Sequence, residues 1–166
     1  MKKIFALVAA IAIAFQVNAQ QGSTLPDTKI KDLNGKAVAF NTTVEKGKVT
    51  LISFWATWCI PCKKEIKNIR GKLSGWQTET PGFNYMTVSV DDARAMAQVR
   101  SYAKSQGWDF PTYHDPNSDL KRSLNFQNVP FSIIVDKEGK VAYMQTGFEE
   151  GGEDVLYEKV KEIAAK

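Results

Sequence analysis

Apolar residues follow two rhythms along this chain. Near-continuous β-forming runs stand at Val49–Trp55 (VTLISFW) and Phe131–Val135 (FSIIV), as expected of strands buried on both faces. After the first run, Cys62, Ile66, Ile69, Leu73 and Trp76 step by four, three, four and three, which is one face of an α-helix. Lys63, Lys64, Lys67, Arg70 and Lys72 fall on its other face, which reads as solvated. Thr80-Pro81-Gly82 breaks that helix, and 85–90 reads as a strand. Asp91 or Asp92 can cap a second helix with Met96, Val99 and Ala103 inward, ended by Gly107. Thr112–His114 is a short extended piece, followed by a short helix near 119–124. Lys137-Glu138-Gly139-Lys140 turns the second apolar run into a hairpin with 141–145, and Gly151-Gly152 precedes a last helix with Leu156, Val160 and Ile163 inward. Nearer the start, segments 28–33 and 36–39 flank Asn34-Gly35, a strong hairpin signal.

Strands that alternate with helices imply a parallel core, and the closing hairpin adds antiparallel strands. The expected fold class is therefore α/β, a central mixed sheet flanked by helices, with an N-terminal hairpin and an inserted strand–helix element. A chain of 166 residues, 43% hydrophobic and 24% charged, suffices for one domain with a real core and is short for two. No repeat, low-complexity tract or linker interrupts it.

The first residues are set apart. Lys2 and Lys3 precede an apolar run at 4–15, and Val17-Asn18-Ala19 offers small residues where a signal peptidase reads them. Residues 1–19 are read as a signal peptide, 20–27 as a polar leader and 28–166 as the domain. The apolar run is short for a membrane span, and no Cys follows it to carry a lipoprotein anchor. Cleavage removes two of the lysines behind the formal charge of +4, so nothing argues for nucleic acid or an anionic membrane as partner.

The protein has two cysteines, both within one motif. An exported chain enters a compartment where disulfides persist, yet a bridge across two residues closes too small a loop to staple a fold. Chemistry explains the pair better than architecture. The segment Phe54-Trp55-Ala56-Thr57-Trp58-Cys59-Ile60-Pro61-Cys62 lies where a buried strand ends and a helix begins. The free N–H groups and positive dipole end of a helix stabilise an anion, so a thiol there is more readily a thiolate. Cys59 is expected to be the exposed nucleophile. Cys62, on the apolar face with Ile66, is expected to be the buried resolving thiol, and Pro61 sits where its missing N–H costs nothing. A zinc site would need two more ligands from a chain with one His and no further Cys.

The segment 53–65 (SFWATWCIPCKKE) resembles the active-site segment of the thioredoxin-like superfamily, in particular its TlpA/ResA-type envelope thiol–disulfide oxidoreductases. Leu25-Pro26-Asp27, Leu33-Asn34-Gly35-Lys36, Gly107-Trp108-Asp109-Phe110-Pro111 with Asp115, and Val129-Pro130 with Ile133-Ile134-Val135-Asp136-Lys137-Glu138-Gly139-Lys140 extend the likeness over roughly residues 25–165. The resemblance implies a thioredoxin fold and a protein-disulfide reductase that needs no cofactor or metal. It also implies a membrane-embedded thiol donor, substrates such as apocytochrome c, and a monomer. It further implies that Pro130 is a cis-proline opposite the cysteines, that the Val129 backbone binds an extended partner by strand addition, and that Trp58 flanks the nucleophile. Glu65 matches a carboxylate that tunes or relays protons for the thiols. Its helical neighbours Pro61, Cys62, Asn68 and Ile69 offer it no cation, in keeping with such a role.

Three departures stand out. Ser53 replaces the buried acid of thioredoxin, leaving Glu65 as its substitute. Lys67 replaces a helix-kinking proline, so the helix should be straighter. Phe131 replaces a common Thr after the proline, which would make the partner groove more apolar. Ile60-Pro61 lacks the His of the strong oxidants, so the couple is expected nearer about −270 mV than about −120 mV. Two other readings compete with this one. Copper delivery would use Cys59, Cys62 and His114, and a peroxidase would need its Cys in a different setting.

Overall fold

The computed structural model describes residues 22–166, so the signal-peptide reading lies outside the described residues. Seven strands form one mixed sheet: β1 (Lys29–Asp32), β2 (Ala37–Ala39), β3 (Val49–Trp55), β4 (Phe83–Ser89), β5 (Thr112–His114), β6 (Phe131–Val135) and β7 (Val141–Thr146). Four helices accompany them: α1 (Ile60–Glu79), α2 (Met96–Ser105), α3 (Asp119–Ser123) and α4 (Gly152–Ala164). The spatial order is β2-β1-β5-β4-β3-β6-β7. β3, β4 and β5 run parallel, while β1, β2, β6 and β7 pair antiparallel with their neighbours. The mixed α/β expectation holds.

All seven residues of β3 are buried, because both faces of the sheet are covered. The strand's period of two divides the core. Leu51 and Trp55 meet Ile66, Ile69 and Trp76 of α1, Val99 of α2 and Leu156 and Val160 of α4. Ile52 and Phe54 meet Met86, Val88, Leu120 of α3, Phe126 and Phe131 on the other side. Phe54 is 1% exposed, with the rings of Phe126 and Phe131 centred 4.9 and 5.7 Å away. Phe54→Ala is expected to lower the unfolding free energy by about 3–5 kcal/mol in urea titrations, the usual cost of an aromatic-sized cavity. A loss below about 1 kcal/mol would mean that the core collapses around the gap.

Several boundaries differ from expectation for local reasons. The N-terminal hairpin is not a two-residue turn. The Asp32 carboxylate accepts the N–H of Asn34 at 2.8 Å and of Lys36 at 2.9 Å, so the strands stop at Asp32 and Ala37. Gly35 supplies the positive φ of 86° that this loop needs. β4 begins at Phe83, ahead of the apolar stretch read from sequence, because it pairs with β3 from Val49↔Phe83 onward. Of the two candidate caps, Asp92 accepts the Arg94 N–H at 2.8 Å and opens a short 3-10 turn before α2, while Asp91 turns inward. Phe131 does not face a partner groove. It is 5% exposed and stacks on Phe126 with centroids 4.3 Å apart, so the expected apolar groove is not built from it. α1 is continuous through Lys67.

The leader is part of the sheet. Gly22 N–H donates to Val141 O at 2.8 Å, Val141 N–H donates to Ser23 O at 2.9 Å, and Thr24 bridges to Lys140. Leu25 then enters the core, and the chain reaches β1 beyond β5, β4, β3 and β6.

Candidate active site

β3 ends at Trp55, and a tight turn carries the chain into α1. Cys59 N–H donates to Ala56 O at 3.0 Å and closes that turn. Cys59 is then the N-cap of α1, with extended backbone (φ −86°, ψ 100°) and its sulfur accepting the Cys62 N–H at 3.3 Å. A cap is ordinarily an oxygen. Here a sulfur meets the free donors and positive end of a 20-residue helix. Pro61 falls in the first helical positions, where a backbone donor has no partner to lose.

Cys59 and Cys62 are joined in a disulfide. Cys59 is 4% exposed and Cys62 1%, so Cys62 is buried as expected, but the expectation of an exposed Cys59 is not met in the disulfide form, where both residues belong to the core. The side chains on either side of it are the open ones: Trp58 is 69% exposed and Ile60 77%.

Glu65 lies three residues beyond Cys62 on the buried face of α1, one turn along the same stripe. It is 1% exposed. Its Oε1 accepts hydroxyl bonds from Ser132 at 2.7 Å and from Ser53 at 3.1 Å, and the two serines are themselves 3.2 Å apart. Ser53 and Ser132 are direct partners across β3 and β6. Burial raises the Glu65 carboxyl above its ordinary range; the two serine bonds oppose this, and the charge of Glu153 adds to it. Tyr85 is buried on the same face of the sheet, and its phenol is pushed upward by burial, with Ser53 and Glu65 as its polar surroundings.

Val129 and Pro130 are joined by a cis peptide and lead into β6. Phe131 pairs with Phe54, so Pro130 stands at the end of β3 from which the cysteine turn departs. Pro130 is buried, and Val129 packs against the cluster that contains Cys59 and Cys62. Among the described residues nothing hydrogen-bonds the N–H or C=O of Val129, so both stand free at this edge.

His114 is brought to the β5 end of the sheet, fully buried, with Nε2 2.7 Å from Asp91 O. Among the described residues no group of three or more His, Cys, Asp or Glu could hold a metal ion, so the copper reading gains no geometry. Ser132 and Asp91 went unread as site residues. The signal for Ser132 was a hydroxyl inside an otherwise apolar strand, matched by Ser53 inside another.

The chain matches the AhpC/TSA family over residues 21–144. It is 29% identical over 127 residues to the thiol-disulfide oxidoreductase ResA of Bacillus subtilis (strain 168), covering 76% of this chain and 68% of that protein. The thioredoxin-like protein YneN of the same organism is 26% identical over 132 residues, covering 80% and 75%. The solution structure of a thioredoxin-like protein from Porphyromonas gingivalis superposes with a TM-score of 0.76 at 36% identity, covering 87% of this chain and 94% of that one. The fold and the disulfide whose Cys59 caps the helix define a thioredoxin-fold thiol–disulfide oxidoreductase. The chain belongs to the AhpC/TSA family.

Proposed function

We propose that this protein is an exported reductant of protein disulfides. The observation that carries the reading is Cys59 as the sulfur cap of α1, with Cys62 and then Glu65 following on the buried face of that helix. Cys59 thiolate attacks a partner disulfide, forming a mixed disulfide and expelling one partner thiolate. Cys62 then gives up its proton to Glu65 and attacks Cys59 sulfur. The partner leaves as a dithiol, and Cys59–Cys62 is left as the disulfide. A carboxyl whose hold on a proton is strengthened by burial is a better base toward a thiol than an ordinary one, which suits Glu65 to take that proton and return it on the next cycle.

The partner side of the site rests on Trp58, Val129 and Pro130. The free N–H and C=O of Val129 offer one edge for an extended segment to pair with, and Trp58 supplies exposed apolar area beside the sulfur. The N-terminal pattern of residues 1–19 supports the export part of this reading. Among the described residues no helix is long and apolar enough to cross a membrane. A reductant in an oxidising compartment has to be recharged, which calls for a membrane-embedded thiol donor. Apocytochrome c and mispaired envelope proteins are the substrates in view, with the enzyme working as a monomer and using neither cofactor nor nucleic acid.

The reduction potential of the mature protein against a glutathione or dithiothreitol buffer tests the direction. A value below about −220 mV supports the reductase, and one above about −150 mV makes the protein an oxidase or isomerase.

A further inference from the structure

Asp91 lies outside the thiol chemistry just described, yet most of its polar atoms are committed around the turn that carries Cys59. It is 4% exposed. Its Oδ2 accepts the Thr57 N–H at 2.8 Å, and its Oδ1 accepts the Thr57 hydroxyl at 2.7 Å. The Ser89 hydroxyl donates to Oδ2 at 2.7 Å, and the Asp91 N–H donates back to Ser89 Oγ at 3.1 Å. The Asp91 carbonyl meets Nε2 of the buried His114 at 2.7 Å. One residue earlier, Val90 N–H reaches Trp55 O at 2.8 Å. The segment after β4 is thus bolted to the turn after β3, and the bolt holds the residue two positions before the nucleophile.

The bolt is also a charge. The three donors on its carboxylate, the Thr57 N–H and the hydroxyls of Thr57 and Ser89, are all neutral. They satisfy the oxygens and offset the negative charge only in part, and the carboxylate is held, buried, on the turn two residues ahead of Cys59, the cap of α1. That end of α1 is where a Cys59 thiolate forms. Reduction adds two electrons and two protons to the Cys59–Cys62 bond, taken from a dithiol that becomes a disulfide. The reduced form is then favoured by whatever stabilises the Cys59 anion. The helix end favours it, and a carboxylate held close by opposes it. A couple whose reduced form is less stabilised is the more reducing one.

We propose that Asp91 is a positioning residue with an electrostatic function: it fixes the Cys59 turn through Thr57, and its retained charge holds the Cys59 thiol up and the couple on the reducing side. This rests on the reductase reading, which it deepens by naming the group that sets the direction. Ser89 modulates the effect, because its hydroxyl is the one donor on the carboxylate that comes from outside the turn.

The test reads the Cys59 thiolate directly on the reduced protein, from the pH dependence of iodoacetamide alkylation and of absorbance at 240 nm. Asp91→Asn keeps the shape and removes the charge. It is expected to lower the Cys59 thiol pKa by about half to one unit and to shift the equilibrium with glutathione about threefold toward the reduced form. Ser89→Ala leaves the carboxylate less quenched and is expected to move the thiol pKa the opposite way. A purely structural bolt would lower the melting temperature of both variants and leave the thiol pKa where it was. An unchanged or raised pKa in Asp91→Asn overturns the proposal. If that variant does not fold, an unchanged or lowered pKa in Ser89→Ala overturns it alone. No partner enters these measurements, so an oxidising potential in the unaltered protein would sink the reductase reading separately from the sign of the Asp91 effect.

Discussion

Cys59→Ser is expected to leave a folded protein with no disulfide turnover, a loss of at least about 10³-fold. Cys62→Ser is expected to stop one step later. Its Cys59 still attacks, but nothing resolves the adduct, and mixed disulfides with partner proteins accumulate. Non-reducing electrophoresis of the two variants, exposed to an extract of oxidised envelope proteins, separates the outcomes. Bands that dithiothreitol releases should appear with Cys62→Ser and be absent with Cys59→Ser. The asymmetry follows from the helix. Cys59 sits at the cap with the free donors, whereas Cys62 lies a turn inside it on the buried stripe with Ile66. Equal trapping by both variants would show that either sulfur can lead, and the assigned order would fall.

Glu65→Gln is expected to slow the resolving step by about 10²-fold near neutral pH, because the amide keeps the hydrogen-bonding shape and cannot take a proton. The rate of that step should also lose its dependence on pH. A second consequence concerns stability. Burial raises the Glu65 carboxyl above its ordinary 4.5, so the folded state holds this proton more tightly than the unfolded chain does. Its contribution to stability is therefore complete below about pH 4.5 and is lost as the pH rises through the folded-state value. Urea unfolding at acid and at neutral pH should show the Gln variant gaining on the parent as pH rises. A constant difference across that range would mean that the carboxyl titrates as it does in solution.

The helix stripe from Cys62 to Trp76 and the two apolar strands were legible because each rests on a local rhythm that long-range packing reinforces. The hairpin loop departs from the Asn34-Gly35 signal because a side chain, Asp32, captures the backbone donors of Asn34 and Lys36. Phe131 departs from expectation because its place after the proline says nothing of which face of β6 it takes; pairing with Phe54 sends it into the core. Glu65 shows the limit most clearly. Its lack of a cationic neighbour within the helix was visible. Its serine partners, however, come from two strands, 12 and 67 positions away, and only the sheet brings them together. Asp91 illustrates the same point, since a residue that looks like a helix cap was claimed by Thr57, 34 positions earlier.

The leader has a consequence for how the molecule is held. Its contacts are with the first residue of β7, and Val141 stands opposite Val135, which in turn faces Thr50 near the start of β3. The chain therefore enters the domain at the pole where β3 begins, while Cys59 follows the pole where β3 ends. Gly22 itself is separated from the Cys59–Cys62 pair by the length of the sheet. The end of the molecule that carries the exposed Trp58 and Ile60 thus points away from Gly22, like a lamp at the far end of a post, and a partner can approach it without meeting the leader.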